Sequence, residues 1–271
     1  MRKITSLLMM LLSFVGIANA QTAIETSAFD ASKLYRVYNC ATDKGDTGNM
    51  AWTANGSTLC LTAYNGEQLN QLWQFIEGET AGKYLLYNPA SKVYMQAVRG
   101  NSGVSSTTDV NAAVYYTMVK HETENKFAFY HGDNANTATN YLWNDGGGNL
   151  FGWKQNSNEW FYLEEASVVD KLSALITEAQ TVYDNLTTKT FAEAVALGSA
   201  LSLAKELVEN VSATPEDYIA QITSLSNAKT NAAMYPFVES VLKTIEPGNY
   251  FIYYTDAEVL SIISKQNLQI L

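Results

Sequence analysis

The chain has 271 residues, of which 27 are acidic and 17 are basic, so its formal net charge at pH 7 is −10. This balance disfavours nucleic acid and anionic membrane surfaces as partners, because both carry negative charge and are bound through basic side chains. It suits a protein that meets neutral partners.

The first twenty residues have the pattern of a secretory signal peptide. Arg2 and Lys3 precede an apolar run over 7–17 and a small-x-small cleavage site at 18–20. We therefore expect a mature chain that starts at Gln21 and is exported to the periplasm, the cell surface or the outside. The apolar run is too short to span a bilayer and no later stretch replaces it, so membrane insertion is not expected.

Cys40 and Cys60 are the two cysteines of the chain. In an oxidising compartment such a pair can form one disulfide, and the alternative is two buried free thiols. The expected export favours the bridge.

Composition changes near 164–166. Residues 27–163 contain all five tryptophans in short β-type runs broken by Gly, Asn and Asp, whereas the next seventy residues have helical periodicity and almost no glycine. The sequence thus predicts a β domain over 27–165 and a helical domain over 166–235.

The β region contains three repeated units. They open with alternating runs at 33–38, 83–87 and 126–130, and they close on Trp73, Tyr116 and Trp160, which are 43 and 44 residues apart. Each unit has room for about four short strands, and one unit cannot bury its apolar face alone. We expect the three to close into one β structure around a shared core, with Trp73 and Trp160 in that core.

The first unit carries a recognisable motif. Gln71-x-Trp73 resembles the Q-x-W signature of ricin-type β-trefoil lectins, and Asn70 fits the family's longer Asn-Gln-x-Trp form. The spacing of Cys40 and Cys60 is similar to a disulfide within one repeat of those lectins. The other two units, with Val114-x-Tyr116 and Asn158-x-Trp160, lack the glutamine. The resemblance implies a β-trefoil over about residues 30–165 that binds carbohydrate without catalysis.

The resemblance also implies which side chains contact a sugar. Each family site combines an early Asp, an aromatic platform and the Asn of the signature, while Gln and Trp are mainly structural. Carried over, the ligand-binding set is Asn70 with the adjacent Gln71, Asp43 or Asp46 as the acid, and Tyr64 or Trp52 as the platform. In the third unit Asp133, Trp143 and Trp153 form a second candidate set, and the middle unit is the least suited.

The helical region predicts three helices with apolar faces over 168–186, 191–211 and 218–232. Thr190 with Glu193 has the pattern of a capping box, and Thr214 is a predicted N-cap ahead of Pro215. Short loops favour an antiparallel three-helix bundle. It resembles the three-helix spacer modules of secreted bacterial glycan-active and cell-wall proteins, which implies a rigid spacer.

The segment 236–271 departs from the helical pattern. After Pro236, a Pro247-Gly248 turn leads into the aromatic run 250–254, which predicts the start of a further β unit. The remaining residues are too few to close a trefoil. We expect either a truncated member of a longer multi-domain architecture or one strand added to an existing element.

Motifs for catalysis or metal binding are not evident in the sequence. His121 and His131 lack zinc-type spacing, and Glu164 and Glu165 are adjacent on an extended chain and point to opposite sides. We therefore predict a secreted, non-enzymatic protein that binds a neutral glycan without a cofactor. The alternatives are a structural or adhesive protein with degenerate sugar sites, or an accessory part of a glycoside hydrolase or protease.

Overall fold

The computed structural model describes residues 29–31, 33–39, 50–98, 103–132, 140–144, 148–153 and 159–244, with side chains up to residue 235. Several predicted features lie outside these residues, namely the signal peptide, Cys40, Asp43, Asp46, Asp133, Asn158 and the tail from 245 onward. The chain divides into two compact units, 1–167 and 168–271. The seam predicted at 164–166 falls on the last residues of the final strand of the first unit.

Twelve strands make up the described part of the first unit. They are β1 (Leu34–Asn39), β2 (Met50–Asn55), β3 (Thr58–Ala63), β4 (Leu72–Glu77), β5 (Lys83–Asn88), β6 (Val93–Met95), β7 (Val104–Thr107), β8 (Tyr116–Lys120), β9 (Phe127–His131), β10 (Tyr141–Asn144), β11 (Leu150–Trp153) and β12 (Phe161–Ala166).

Six of these strands form a closed barrel. Strand β1 pairs with β4, β4 with β5, β5 with β8, β8 with β9, β9 with β12, and β12 returns to β1, so the ring has no free edge. The other six form the hairpins β2–β3, β6–β7 and β10–β11. Their strands β3, β7 and β11 pair with one another. A six-stranded barrel with a triplet of hairpins at one end is a β-trefoil.

The strand register identifies the residues that the pseudo-threefold axis relates. Tyr35 pairs with Trp73, Tyr84 with Tyr116, and Phe127 with Phe161. The equivalent closing aromatics are therefore Trp73, Tyr116 and Phe161, and each is fully buried.

Trp160 is not the third closing aromatic, and its predicted place in the core is wrong. It precedes β12, lies half-buried, and contacts the His121 ring edge-on at 4.7 Å between centroids. A shift of one residue turns a side chain to the opposite face of a strand, so Phe161 takes the inward position. In the corrected register Asn158-Glu159-Trp160-Phe161 aligns with Asn70-Gln71-Leu72-Trp73, and Glu159 stands where the first repeat has Gln71.

One apolar centre serves all three repeats. Its threefold-related layers include the sets Val37, Leu86 and Phe129; Trp52, Met95 and Leu142; and Leu59, Val104 and Leu150. Trp52, an alternative sugar platform in the sequence, is fully buried there, with its ring 5.0 Å from Phe161 and 6.2 Å from Trp73 between centroids. The platform role predicted for it is therefore wrong.

Three helices make up the described part of the second unit: α1 (Val168–Asn185), α2 (Ala192–Glu209) and α3 (Pro215–Thr244). Each contacts the other two. Between α2 and α3, Gln221 Nε2 donates to the Ala200 carbonyl at 2.8 Å. Between α1 and α3, Lys229 Nζ lies 2.6 Å from Glu178 Oε2.

The helix ends agree with the sequence at one position and differ at two. Thr214 caps α3 as predicted, because its hydroxyl accepts from the Asp217 amide at 3.3 Å. The capping box predicted at Thr190 is wrong, since α2 begins at Ala192 with Phe191 as an N-cap that makes no side-chain cap bond. The helix also continues through Pro236 to Thr244, so the boundary predicted at 236 lies within α3, while the predicted strand at 250–254 lies outside the described residues. A proline removes one helical hydrogen bond but does not by itself end a helix.

Candidate functional site

Gln71, the signature glutamine, lies inside the protein and is fully buried. Its Nε2 donates to Thr62 Oγ1 at 3.0 Å and to the Ala63 carbonyl at 2.9 Å, and its Oε1 accepts from the Asn65 amide at 2.9 Å. The amide thus holds the chain that follows β3. Since these bonds occupy both ends of the amide, Gln71 positions this loop and presents no group to a ligand.

Asn70 is half-buried and bridges two parts of the fold. Its Nδ2 donates to the Ala54 carbonyl at 3.1 Å, and its own carbonyl accepts from Asn88 Nδ2 at 2.8 Å. Because Asp43 and Asp46 lie outside the described residues, Asn70 and Tyr64 are the members of the first predicted set that the structure places at least partly at the surface.

Tyr64 belongs to an ionic cluster that the sequence did not indicate. Its hydroxyl donates to Glu164 Oε1 at 2.9 Å, and the Arg36 guanidinium lies 5.7 Å from the centre of its ring. Arg36 is buried, donates to the Gly66 carbonyl, and lies 3.9 Å from the same Glu164 oxygen. Burial first, and then the bond to Glu164, raise the pKa of Tyr64 to about 12. These partners fix the Tyr64 ring and limit its use as an open platform.

The raised pKa of Tyr64 predicts a loss of stability in alkali. The ordinary value is 10.0 and the folded value is about 12, so the folded state holds this proton more tightly. The contribution is fully present below about pH 10 and is lost as the pH rises towards about 12. We expect Tyr64→Phe to show a smaller alkaline loss of unfolding free energy in urea titrations. Burial also raises the pKa of Tyr35 to about 12, so part of the alkaline loss of stability remains in Tyr64→Phe. An unchanged pH slope in Tyr64→Phe would contradict the assignment.

An aromatic face covers the outer side of the third hairpin, β10–β11. We define it by Tyr141, Trp143, Phe151 and Trp153, since Leu142 between the first two and Leu150 just before Phe151 point into the core. The Trp143 ring lies 6.3 Å from Trp153 and 4.7 Å from Phe151 between centroids. Tyr141 and Trp143 are buried, while Trp153 and Phe151 are half-buried. The structure therefore brings together the two tryptophans predicted for the third repeat, and Trp153 is the more accessible.

The sister hairpins lack this face. By strand register, Thr53 and Thr62 of the first hairpin take the places of Trp143 and Trp153, and Gln96 and Thr107 take them in the second. The Thr53 and Thr62 hydroxyls lie 2.6 Å apart, and both lie within reach of the Gln71 amide. The third repeat has aromatic rings in place of this polar pair.

A buried acid lies beside the aromatic face. Glu159, the counterpart of Gln71, is fully buried. The pKa of Tyr141 is raised, first by burial, then by the neighbouring Tyr130 and by the negative charge of Glu159. The third repeat thus combines aromatic rings with an acidic residue at the signature position.

Cys60 is a free thiol in the structure, whose Sγ lies 3.9 Å from the Thr53 carbonyl. The predicted bridge to Cys40 is not found, and Cys40 itself lies outside the described residues. Burial raises the pKa of the Cys60 thiol.

Within the described ranges, no group of three or more His, Cys, Asp or Glu side chains is placed to hold a metal ion. Nor does any helix of that part of the chain combine the length and apolarity needed to cross a bilayer.

Comparison with known proteins finds similarity to solved structures alone. No family model matches the sequence, and no curated protein matches it. Among solved structures, the BEL β-trefoil in its apo crystal form 3 is similar with a TM-score of 0.37 and 15% identity, over 49% of this chain and 93% of that one. A lectin of Polyporus squamosus, bound to the human-type influenza-binding epitope Neu5Acα2-6Galβ1-4GlcNAc, gives 0.41 and 15%, over 66% and 78%. The PSL1a–E64 complex gives 0.39 and 12%, over 65% and 75%.

Proposed function

We propose that this protein is a secreted, non-catalytic carbohydrate-binding protein whose principal ligand surface is the aromatic face. The observation that carries the proposal is the pair Trp143 and Trp153, held together at 6.3 Å where both sister hairpins have small or polar residues. A half-buried indole offers a flat apolar surface on which the C–H side of a sugar ring can pack. Buried Trp143 supports that surface from one side.

Polar groups for the sugar hydroxyls flank this face in the sequence. Amide and carboxylate side chains bind hydroxyls in pairs, since each offers two adjacent donors or acceptors. The connections before and after β10 contain several of them, namely Asp133, Asn134, Asn136, Asn140 and Asp145. We propose that some of these complete the site with Trp153.

A neutral glycan fits the charges of this protein. The chain has a net charge of −10, and Glu159 is buried within the third repeat. The buried Arg36 lies against Glu164 and donates to the Gly66 carbonyl, so it is not presented to an acidic sugar. Asp43 or Asp46 with Asn70 and Tyr64 remains a second proposed contact set in the first repeat, which Gln71 supports from within.

The helical unit fits the role of a spacer. We infer that α1, α2 and α3 form a three-helix bundle that acts as a rigid spacer. The stack of Phe191 on Tyr235, at 4.0 Å and 9° between planes, ties the start of α2 to the far part of α3. Export through the signal peptide, to the cell surface, the periplasm or outside, belongs to the same proposal.

A glycan array with the full mature chain tests the function. We expect binding to one or more neutral glycans, and Trp153→Ala should weaken it about tenfold or more, equal to about 1.4 kcal/mol. Thr107→Ala changes the equivalent position in the second hairpin and is the matched control, with binding expected to stay unchanged. Equal binding by both variants would remove the aromatic face from the site, and an array without any bound glycan would remove the function.

A structural or adhesive role is the second candidate. The middle repeat favours it, because Ala113 and Val114 stand where the first repeat has Asn70 and Gln71. An accessory role beside a glycoside hydrolase or protease is compatible with either candidate. Binding to a protein surface with an empty glycan array would favour the adhesive role.

A further inference from the structure

A depression of about 620 Å³ lies on the pseudo-threefold axis, where the inner strands of the three hairpins meet. We call it the axial depression. Its floor is the threefold-related set Leu59, Val104 and Leu150, each almost fully buried. Strand pairing closes the surrounding triangle, since Leu59 pairs with Val104, Cys60 with Asn149, and Gly103 with Phe151. The depression is therefore formed by paired backbone.

The mouth of the axial depression differs among the repeats. Thr58 and Asn149 stand at two corners, and the third corner is Gly103. A Cβ added at Gly103 would meet no atom within 4 Å, so the absence of a side chain there leaves the mouth open. The two remaining corners are Thr58, whose hydroxyl donates to the Asn55 carbonyl at 3.1 Å and can still accept a bond, and Asn149, which has an amide side chain.

The walls of the axial depression also differ among the three repeats. Cys60, Ser105 and Phe151 are equivalent by register, and Phe151 alone among them is aromatic. No charged side chain lines the depression in the part of the chain that the structure describes. An apolar floor, one aromatic wall and a rim of hydroxyl and amide groups match the two surfaces of an uncharged sugar ring.

Resting on the proposed function, we propose that the axial depression is a further sugar subsite, and that a neutral glycan bound at the aromatic face extends into it. Ligand pockets typically have volumes of about 300–1,000 Å³, and the depression falls in that range. Phe151 belongs to both sites, because its ring contacts Trp143 at 4.7 Å while it lines the depression. The two surfaces are therefore continuous.

The test is a nitrogen–proton NMR titration of the full mature chain with D-galactose, D-mannose and N-acetyl-D-glucosamine at millimolar concentrations. We expect at least one sugar to shift the amide signals of Leu59, Val104 and Leu150. Gly103→Leu fills the open mouth and should weaken this response about tenfold or more. Ala112→Leu adds an apolar side chain at an exposed position of the same unit and should leave the response unchanged.

The variants separate the two sites. Axial shifts that survive in Trp153→Ala and vanish in Gly103→Leu support the depression. Shifts confined to the aromatic face, and equal in Gly103→Leu, overturn it while the proposed function stands. Asn149→Ala provides a second variant that leaves the mouth open, and wild-type axial affinity in both it and Gly103→Leu would also overturn the proposal. Axial shifts with hexan-1-ol but with none of the sugars would mark an apolar site and overturn it as well, and silence towards every sugar at both sites counts against both proposals.

Discussion

Replacing Phe161 by alanine should lower the free energy of unfolding of the first unit by about 3–5 kcal/mol, whereas replacing the larger Trp160 should cost much less. Phe161 is fully buried and packs against Trp52 at 5.0 Å between ring centroids. Alanine there leaves a cavity on the axis that all three repeats share. Trp160 is half-buried on the outer side, where the loss of its ring leaves open surface.

Urea unfolding followed by tryptophan fluorescence measures both variants on the first unit, because all five tryptophans lie in it. Trp73→Ala is a second control. Trp73 is the threefold equivalent of Phe161, so its replacement should lower the free energy of unfolding by a similar amount. A greater loss in Trp160→Ala than in Phe161→Ala would contradict the corrected register.

The second large effect is expected at Gln71. Gln71→Leu keeps the approximate size of the side chain but removes bonds to the Ala63 carbonyl, the Asn65 amide and Thr62. A buried polar group left without a partner costs about 1–3 kcal/mol, so we expect a loss of about 2–4 kcal/mol in unfolding free energy.

Asn70→Ala is the matched control for Gln71→Leu. Asn70 is half-buried, and its side chain makes one bond to the described residues, to the Ala54 carbonyl, so water can replace much of what is lost. We expect a cost of about 1 kcal/mol or less. Equal unfolding midpoints for Gln71→Leu and the wild type would contradict the structural role of the glutamine.

The β-trefoil could be predicted because the sequence pattern that specifies it occurs three times. Alternating runs such as the one around Tyr35 recur around Tyr84 and Phe127, and the structure pairs all three with a closing strand. The register of the third repeat was not predictable from spacing. Trp160 and Phe161 are adjacent aromatics, and the pairing of Phe127 with Phe161 decides which one faces inward.

The candidate site was predictable where its residues lie on one hairpin. Trp143 and Trp153 come together because β10 and β11 are neighbours in sequence and in the sheet. Tyr64 was different, since its hydroxyl meets Glu164, a residue 100 positions away. No local pattern encodes such a contact, although the alternation of β1 and β12 could have paired Arg36 with Glu164.

In the helical unit, too, features that depend on distant contacts could not be predicted, and these lie at the ends of the helices. Apolar periodicity predicted three helices, and the Thr214 cap is local in sequence and was found. The cap of α2 was mispredicted, because Phe191 stands at the N-cap position and stacks on Tyr235, a distant partner. Thr190, the predicted cap, does not cap the helix, and its hydroxyl shares a hydrogen bond with the Thr188 hydroxyl at 3.1 Å.

The most direct test of glycan binding through the third hairpin is an NMR titration of the indole N–H signals with a glycan selected on the array. The Trp73 indole donates to the Trp52 carbonyl at 3.0 Å deep in the core and is an internal reference. We expect the Trp153 signal to shift, with Trp143 following, while the Trp73 signal stays in place. A bound glycan that leaves the Trp153 signal unchanged would contradict it.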